Sequence, residues 1–249
     1  MKGMLSLLQY IVILNCLYVQ AQSKYFSKSL QWNNNYVQEF RKAIIINDNY
    51  TVLIANIYPT FTGNWQNGIV FLSSDGDTSN INTFSNPNSG HIGAFDAIAE
   101  YNEVIVVGQL TPIWDSTTDQ SYVQTINIDN NYVNITTLGQ YPSAIQAIHK
   151  CLDGGYLLAG RIIPNYPNSP QWLEMYAVKL NSQLDIEWEH IYDDIGYFYN
   201  NFLTDILPAS DGNGFYLLGT VNFSFNVSAQ NTTGRIAIIH INELGEVLN

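Results

Sequence analysis

Apolar residues along this chain recur in four similar units. Each unit has an apolar strand, a polar turn and a second, very apolar strand that ends in a small residue. The small residues are Ala55, Gly108, Gly160 and Gly219, which gives a period of about fifty residues. Self-similarity at this period indicates a repeat architecture.

Further strands complete the units. A third apolar strand follows a linker, and in three units a fourth, more polar strand follows a polar turn. In the third unit Ile186 and Trp188 alternate with glutamates, which is typical of an outer strand with one face in water. Residues 104–107 are apolar on both faces, and we expect such strands to be the innermost ones.

Four strands per unit predict an all-β fold, a β-propeller of four-stranded blades with about four blades present. The predicted units span about residues 37–90, 91–141, 142–200 and 201–249. No stretch of the mature chain shows helical periodicity. Gly108, Gly160 and Gly219 are expected where backbones approach closely, so replacement of Gly160 or Gly219 by Val should cost about 1–3 kcal/mol through overpacking.

The third unit carries the most recognisable motif. It runs Asp153-Gly154-Gly155-Tyr156, ends that strand at Gly160, and continues with Val178-Lys179-Leu180-Asn181 and Trp188. This resembles a repeat of secreted Bacteroidetes proteins, in which a DGGY segment precedes a VKLD-like strand and a Trp. The resemblance implies a propeller, a structural role for Trp188 and, in many family members, export through a C-terminal sorting domain. It implies no catalytic residue.

The first residues predict a secretory signal peptide, residues 1–21. Lys2 precedes a mostly apolar run over residues 5–19, and Ala21 is a small residue before a cleavage site. Residues 22–249 would then form the repeat domain of a secreted or cell-surface protein. A membrane anchor is one alternative, although the run is shorter than the roughly 20 residues that span a bilayer. A lipoprotein modified at Cys16 is another, although Asn15 fits poorly before a lipidated cysteine.

Composition narrows the classes of function. The 249 residues include 9 Lys+Arg against 21 Asp+Glu, for a net charge of −12. This balance argues against nucleic-acid binding, which needs a basic surface. No stretch after residue 21 is long and apolar enough for a transmembrane segment. Cys151 is the single cysteine of the mature chain, so the core must hold the fold without an internal disulfide.

No reactive motif is complete, so no catalytic residue, metal ligand or cofactor is assigned. The four histidines lack metal-ligand spacing, and nucleophile elbows, P-loops and dinucleotide fingerprints are missing. Asp75-Gly76-Asp77 begins like a calcium loop, but Asn86 stands where an EF-hand needs Glu. Calcium stays open at two acidic loop pairs, Asp115 with Asp119 and Asp193 with Asp194.

Aromatic residues on the linkers are the candidate ligand-binding residues: Trp65, Tyr166, Trp172 and Tyr197. Rings beside Asn and Asp suit carbohydrate or peptide recognition, with stacking on one face and hydrogen bonds at the edge. The alternative is that these rings pack over the ends of the blades.

These features favour an exported, non-catalytic β-propeller that serves as a binding or scaffold module for a glycan or protein ligand. A secreted glycan-active hydrolase with its site at the channel mouth is the alternative. A third hypothesis is that the chain is a piece of a longer, adhesin-like protein.

The N-terminal residues also bear on closure of the ring. Residues 29–36 align with residues 185–192, with Trp32 on Trp188 and Tyr36 on Tyr192. The alignment predicts that Trp32 is a structural residue of an outer strand. That strand either pairs with residues 236–241 and closes a four-bladed ring, which removes exposed edges, or begins a longer propeller. Pairing of residues 30–36 inside the first unit would contradict the outer-strand prediction.

Overall fold

The structure is a computed structural model. It describes residues 36–47, 50–59, 64–73, 77–85, 90–111, 119–164, 172–192, 200–226 and 231–248. Within these ranges the chain forms fifteen β-strands and contains no helix, and therefore no helix that could cross a membrane. The predicted all-β fold is confirmed for this part of the chain.

The strands form four antiparallel sheets, A to D in chain order, and consecutive strands pair within each sheet. Sheet A contains β1 (Tyr36–Asn47), β2 (Tyr50–Pro59), β3 (Gln66–Ser73) and β4 (Thr78–Ser85). Sheet B contains β5 (His91–Glu100), β6 (Glu103–Thr111), β7 (Gln120–Asn127) and β8 (Val133–Leu138). Sheet C contains β9 (Ser143–Lys150), β10 (Tyr156–Ile162), β11 (Glu174–Leu180) and β12 (Ile186–Tyr192). Sheet D contains β13 (Asn200–Pro208), β14 (Phe215–Asn226) and β15 (Asn231–Ile241).

The sheets pack face to face in chain order. Separate hydrophobic clusters fill the A–B, B–C and C–D interfaces, with Ile54, Val107 and Ala159 as fully buried examples. The first strands of consecutive sheets lie against one another, while β4, β8 and β12 form the opposite edges. Four-stranded antiparallel meanders packed in this way make a β-propeller-like fold.

The most apolar strands are not the innermost ones, so that expectation is wrong. Residues 104–107 belong to β6, which pairs with β5 on one side and β7 on the other. They are apolar because sheets A and C cover both faces of β6. The innermost strands are β1, β5, β9 and β13, each at the edge of its sheet.

A β-bulge recurs in the first strand of every sheet. The extra residues are Arg41, Phe95, Gln146 and Thr204, and each lies opposite the small residue that ends the apolar part of the second strand. A Cβ added at Gly160 would lie 2.9 Å from Ile145 Cα and closer still to the Ala144 carbonyl oxygen. Gly108 and Gly219 face the same backbone crowding, whereas sheet A accommodates Ala55. The bulge bends the strand and brings its backbone against the neighbour.

The motif of the third unit forms an ion-pair cluster between a turn and a strand. The Lys179 side chain is 3% exposed, and its Nζ lies 2.6 Å from Asp153 Oδ2 and 3.1 Å from Glu187 Oε2. A Cβ at Gly155 would lie 2.6 Å from that Nζ. Asp153 thus neutralises Lys179, and Gly155 leaves room for the ammonium group.

Trp188 hydrogen-bonds sheet C to the turn that follows β15. Its Nε1 donates to Glu243 O at 3.1 Å, and the Tyr192 hydroxyl donates to Gly245 O at 3.0 Å. Gly245 has φ +80 and leaves no space for a Cβ beside the indole. These contacts join an outer strand to the next sheet, as a structural tryptophan would.

The N-terminal outer-strand prediction is wrong at Tyr36, and Trp32 lies outside the described residues. Tyr36 begins β1 and pairs with Pro59 of β2, inside sheet A. The first unit thus uses this residue for its own innermost strand. In sheet D, an isolated antiparallel bridge between Ile241 and Val247 marks where a fourth strand would start.

Candidate functional site

The two ends of the sheets differ in their connections. The first and third strands of each sheet begin at one end, which we call the long-loop end. The connections between second and third strands lie there, at residues 60–65, 112–119, 163–173 and 227–230. The connections from one sheet to the next lie there too, at residues 86–90, 139–142 and 193–199. The opposite end, the turn end, carries the turns within each sheet. Buried polar side chains concentrate towards the long-loop end: Asn56, Asn67, His91, Thr111, Asp119, Ser121, Ser143 and Asn201. Loops held by a rigid scaffold are the usual place for function, so this end is the candidate site.

One inter-sheet hydrogen bond recurs at this end. A backbone N–H near the start of a first strand donates to the carbonyl of the residue that precedes the third strand of the previous sheet. The pairs are Ile92 to Trp65 at 3.3 Å, Ser143 to Asp119 at 3.1 Å and Asn201 to Leu173 at 2.8 Å. Because the bond repeats, Trp65, Asp119 and Leu173 hold equivalent places in three successive sheets.

Trp65 is held in a fixed orientation by its neighbours. Its backbone N–H donates to His91 Nδ1 at 2.9 Å. Its ring lies edge-on to Tyr58 at 4.7 Å between centroids and 5.2 Å from the His91 ring. Burial lowers the pKa of His91, which favours the neutral imidazole whose Nδ1 can accept this bond. The half-buried indole is therefore preorganised at the long-loop end.

A buried layer of amide and hydroxyl groups joins sheets A and B. Asn56 accepts from Ala94 N at 2.8 Å and donates to Ala94 O at 3.0 Å, so its side chain pairs with the backbone of β5. Asn67 donates to the Tyr122 hydroxyl, which donates to Gly93 O at 3.3 Å. Within the described residues, Asn67 Oδ1 and Gln124 Nε2 are buried without a partner, at a cost of about 1–3 kcal/mol each.

An acid–base cluster joins sheets B and C at the same end. Asp119 is buried, accepts from Thr111 Oγ1 at 2.7 Å, and lies 3.8 Å from Arg161 Nη2. Arg161 also donates to Gln109 Oε1 at 3.3 Å. Burial lowers the pKa of Arg161, and the nearby Asp119 carboxylate opposes that effect, so the guanidinium stays charged at neutral pH. Asp119 thus serves as a counter-ion between sheets.

The described residues contain no cluster of metal ligands that would support the calcium hypothesis. No group of three or more His, Cys, Asp or Glu there could hold a metal ion. Asp115, Asp193 and Asp194 lie outside the described ranges.

Sequence reasoning missed the contact between Arg161 and Asp119, since nothing in the local pattern of β10 pairs Arg161 with a carboxylate some forty residues earlier.

Of the four candidate ligand-binding aromatics, the two that the structure describes, Trp65 and Trp172, both lie at the long-loop end. Trp172 is 40% exposed and immediately precedes the Leu173 carbonyl of the recurrent bond. Trp65 lies at the long-loop end of sheet A. Tyr166 and Tyr197 lie outside the described residues, so their roles stay predictions. His91 and Tyr58 were not among the candidates, although both contact Trp65.

Comparisons with known proteins place the chain in no family: no family profile and no curated protein matches it. Solved structures with some similarity include a Synechocystis apocarotenoid oxygenase mutant, at 8% identity and a TM-score of 0.42 over 81% of this chain. The chain spans about half of that oxygenase, 49%. An α-L-arabinofuranosidase from Fusarium graminearum, solved with an iminosugar inhibitor, has 10% identity, a TM-score of 0.44, and coverage of 86% and 79% of the two chains. A GH43_1 enzyme from Xanthomonas citri has 8% identity, a TM-score of 0.42, and coverage of 92% and 95%. At TM-scores below 0.5, these similarities do not bear on the function of this chain.

Proposed function

We propose that this chain is an exported, non-catalytic β-propeller whose long-loop end binds a glycan or protein ligand, with sheets A to D as four of its blades. The observation that carries the proposal is the Trp65 group, an indole fixed by Tyr58 and His91 at the end that bears the long loops. Export rests on the predicted signal peptide, residues 1–21.

The chemistry of this end suits a sugar ring or an extended peptide. An indole offers a flat apolar face on which a sugar ring or a peptide side chain can stack. Trp172 adds an exposed indole at the same end. A ring that is already immobilised loses little conformational entropy on binding, which strengthens a modest contact surface.

A secreted hydrolase is the alternative. Glycoside hydrolysis uses two carboxyl groups on either side of the scissile bond. Asp119 and Glu174 are carboxylates at the long-loop end, and Glu174 Oε2 accepts from Asn201 Nδ2 at 3.1 Å. Asp119 is already paired with Arg161, which makes it a poor proton donor and favours the binding module.

A glycan array and a hydrolase substrate panel, run on the same preparation, test the proposal. Binding should fall at least tenfold in Trp65→Ala or Trp172→Ala, while Trp188→Phe, altered at the turn end, should bind normally. Thermal unfolding of each variant separates loss of binding from loss of fold. Undiminished binding in both loop variants, or turnover that Glu174→Gln abolishes, would refute the binding-module assignment.

A further inference from the structure

Each of the first three sheets directs one apolar face at the sheet that follows, here called the leading face. On this face, one residue of the third strand pairs with the residue that precedes the small residue of the second strand. That third-strand residue is Ile69 in sheet A, Val123 in sheet B and Ala177 in sheet C, and each is at most 1% exposed. The same position in sheet D is Ile238, which pairs with Leu218 and is 66% exposed. Sheet D therefore presents an apolar leading face that none of the described sheets covers.

The leading face of sheet D is apolar beyond this one residue. Ile236 is 85% exposed, and Tyr216 stacks on His240 at 4.4 Å on the same face. A groove of about 940 Å³ runs along β15 beside these side chains. Exposed apolar patches of this kind mark interaction surfaces.

Sheet A exposes apolar residues on its opposite side, the face turned away from sheet B, which we call the trailing face. Ala43 lies two residues after the bulge, where the equivalent residues Ala97, Ile148 and Ile206 are all buried. Ala43 is exposed, and Ile45 on the same strand is 76% exposed. Among the described residues, no strand pairing and no hydrophobic cluster joins sheet D to sheet A within the chain.

We infer that the leading face of sheet D packs on the trailing face of sheet A in a second copy of this chain, and reciprocally. The contact is the A–B, B–C and C–D interface repeated a fourth time between molecules. The four described sheets do not close on one another, so a ring needs more sheets, and a second copy brings the number of described sheets to eight. Eight is within the usual range of four to eight blades, and a head-to-tail contact that closes after two copies gives a finite dimer.

Polar groups on the two faces match in the same register. In sheet B, Asp96 follows the bulge. It accepts from Ala97 N, from Ile148 N of the next sheet, and from Lys42 Nζ of the sheet before. The aspartate at the equivalent place in sheet D is Asp205, which accepts from Ile206 N through Oδ1. No described residue donates to its second oxygen.

Sheet A of the second copy offers a donor for the second oxygen of Asp205. Ala43 has the position of Ile148, so its N–H would meet the free carboxylate oxygen. The interface thus joins an apolar patch to an apolar patch and a carboxylate oxygen to a backbone N–H, which fixes register as well as contact.

Sedimentation equilibrium on the purified chain tests the inference. The wild type should have twice the chain mass at about 100 μM, a concentration well above the Kd of an ordinary specific complex. Ile238→Asp, on the leading face, and Ala43→Asp, on the trailing face, should each be monomeric. Leu152→Asp changes a fully exposed apolar residue at the turn end and should stay dimeric. Circular dichroism confirms that the variants fold, since all three side chains are exposed.

Mixing the two face variants distinguishes a head-to-tail contact from a symmetric one. An equimolar mixture of Ile238→Asp and Ala43→Asp retains one intact D-to-A contact, so its mass should rise towards the dimer. A contact of sheet D with sheet D would leave Ala43→Asp dimeric on its own. A monomeric wild type, a dimeric Ala43→Asp or a monomeric mixture would each overturn the inference.

Discussion

Gly160→Ala is the sharpest test of the recurrent bulge, because it adds a single methyl group at the closest backbone approach in sheet C. That methyl carbon would lie 2.9 Å from Ile145 Cα and 3.0 Å from the Ala144 carbonyl carbon. Neither neighbour is a side chain that can rotate away. Relief requires β9 to shift from β10 at the point where their register already breaks.

The magnitude follows from two opposing effects. Overpacking against backbone should cost about 3 kcal/mol, the upper end of the usual range. Loss of glycine flexibility in the unfolded chain returns about 0.4–1 kcal/mol. The net destabilisation is about 2 kcal/mol, which lowers the thermal midpoint of a domain of this size by about 4–8 °C.

Gly93→Ala is the matched control for this measurement. Gly93 is also in a strand, but a Cβ there would meet only Gln109 Cγ at 4.0 Å. The control should keep or slightly raise the midpoint, by about 1–4 °C at most. Thermal unfolding followed by circular dichroism compares the two. Equal midpoints for Gly160→Ala and Gly93→Ala would show that the close approach at the bulge does not exist.

Three further predictions concern polar side chains. Burial raises the pKa of the Cys151 thiol to about 12, so peptide mapping after iodoacetamide at pH 8 should find Cys151 labelled in urea and unlabelled in the native protein. Lys179 holds the pKa of Asp153 below its usual value, so the stability that Asp153 contributes is complete above about pH 4 and is lost as the pH falls through the lower folded-state pKa. Asp153→Asn should therefore lower the thermal midpoint at pH 7 and have less effect at pH 2.5; an equal effect at both would exclude the ion pair as its cause. Tyr122→Phe removes the hydroxyl between Asn67 and Gly93 and should cost about 1–3 kcal/mol in urea unfolding, a loss that would be absent if the hydroxyl were solvated.

Local pattern was enough to predict the strands, their hairpin order and the place of the small residues. The turn after Cys151 illustrates why. Its Asp-Gly-Gly segment accepts the backbone of a tight turn, with Gly154 at φ +86, and the apolar runs on each side can only be strands that bury both faces. Such features depend on residues close in sequence, so they can be read along the chain.

The candidate site was only partly accessible in this way. Linker aromatics such as Trp65 and Trp172 could be proposed from composition, but the His91 and Tyr58 contacts that orient Trp65 come from other elements. Asp119 could be found as an acidic loop residue. Its partner Arg161 is brought close by the packing of sheet B on sheet C, and no local rule predicts that meeting.

The sequence by itself determined a repeated four-strand unit, because apolar period, turn chemistry and a required small residue all act within about fifty residues. Only the tertiary structure decided which strand is innermost. An apolar run indicates that both faces of a strand are covered, but it does not indicate whether the strand lies at the edge or in the middle of its sheet. The tertiary structure also assigned Tyr36 to β1, because the chain there gains a full set of pairings with β2. The uncovered face of sheet D is likewise visible only in three dimensions: Ile238 looks like any other core residue along the chain, and its exposure depends on whether another sheet lies against it.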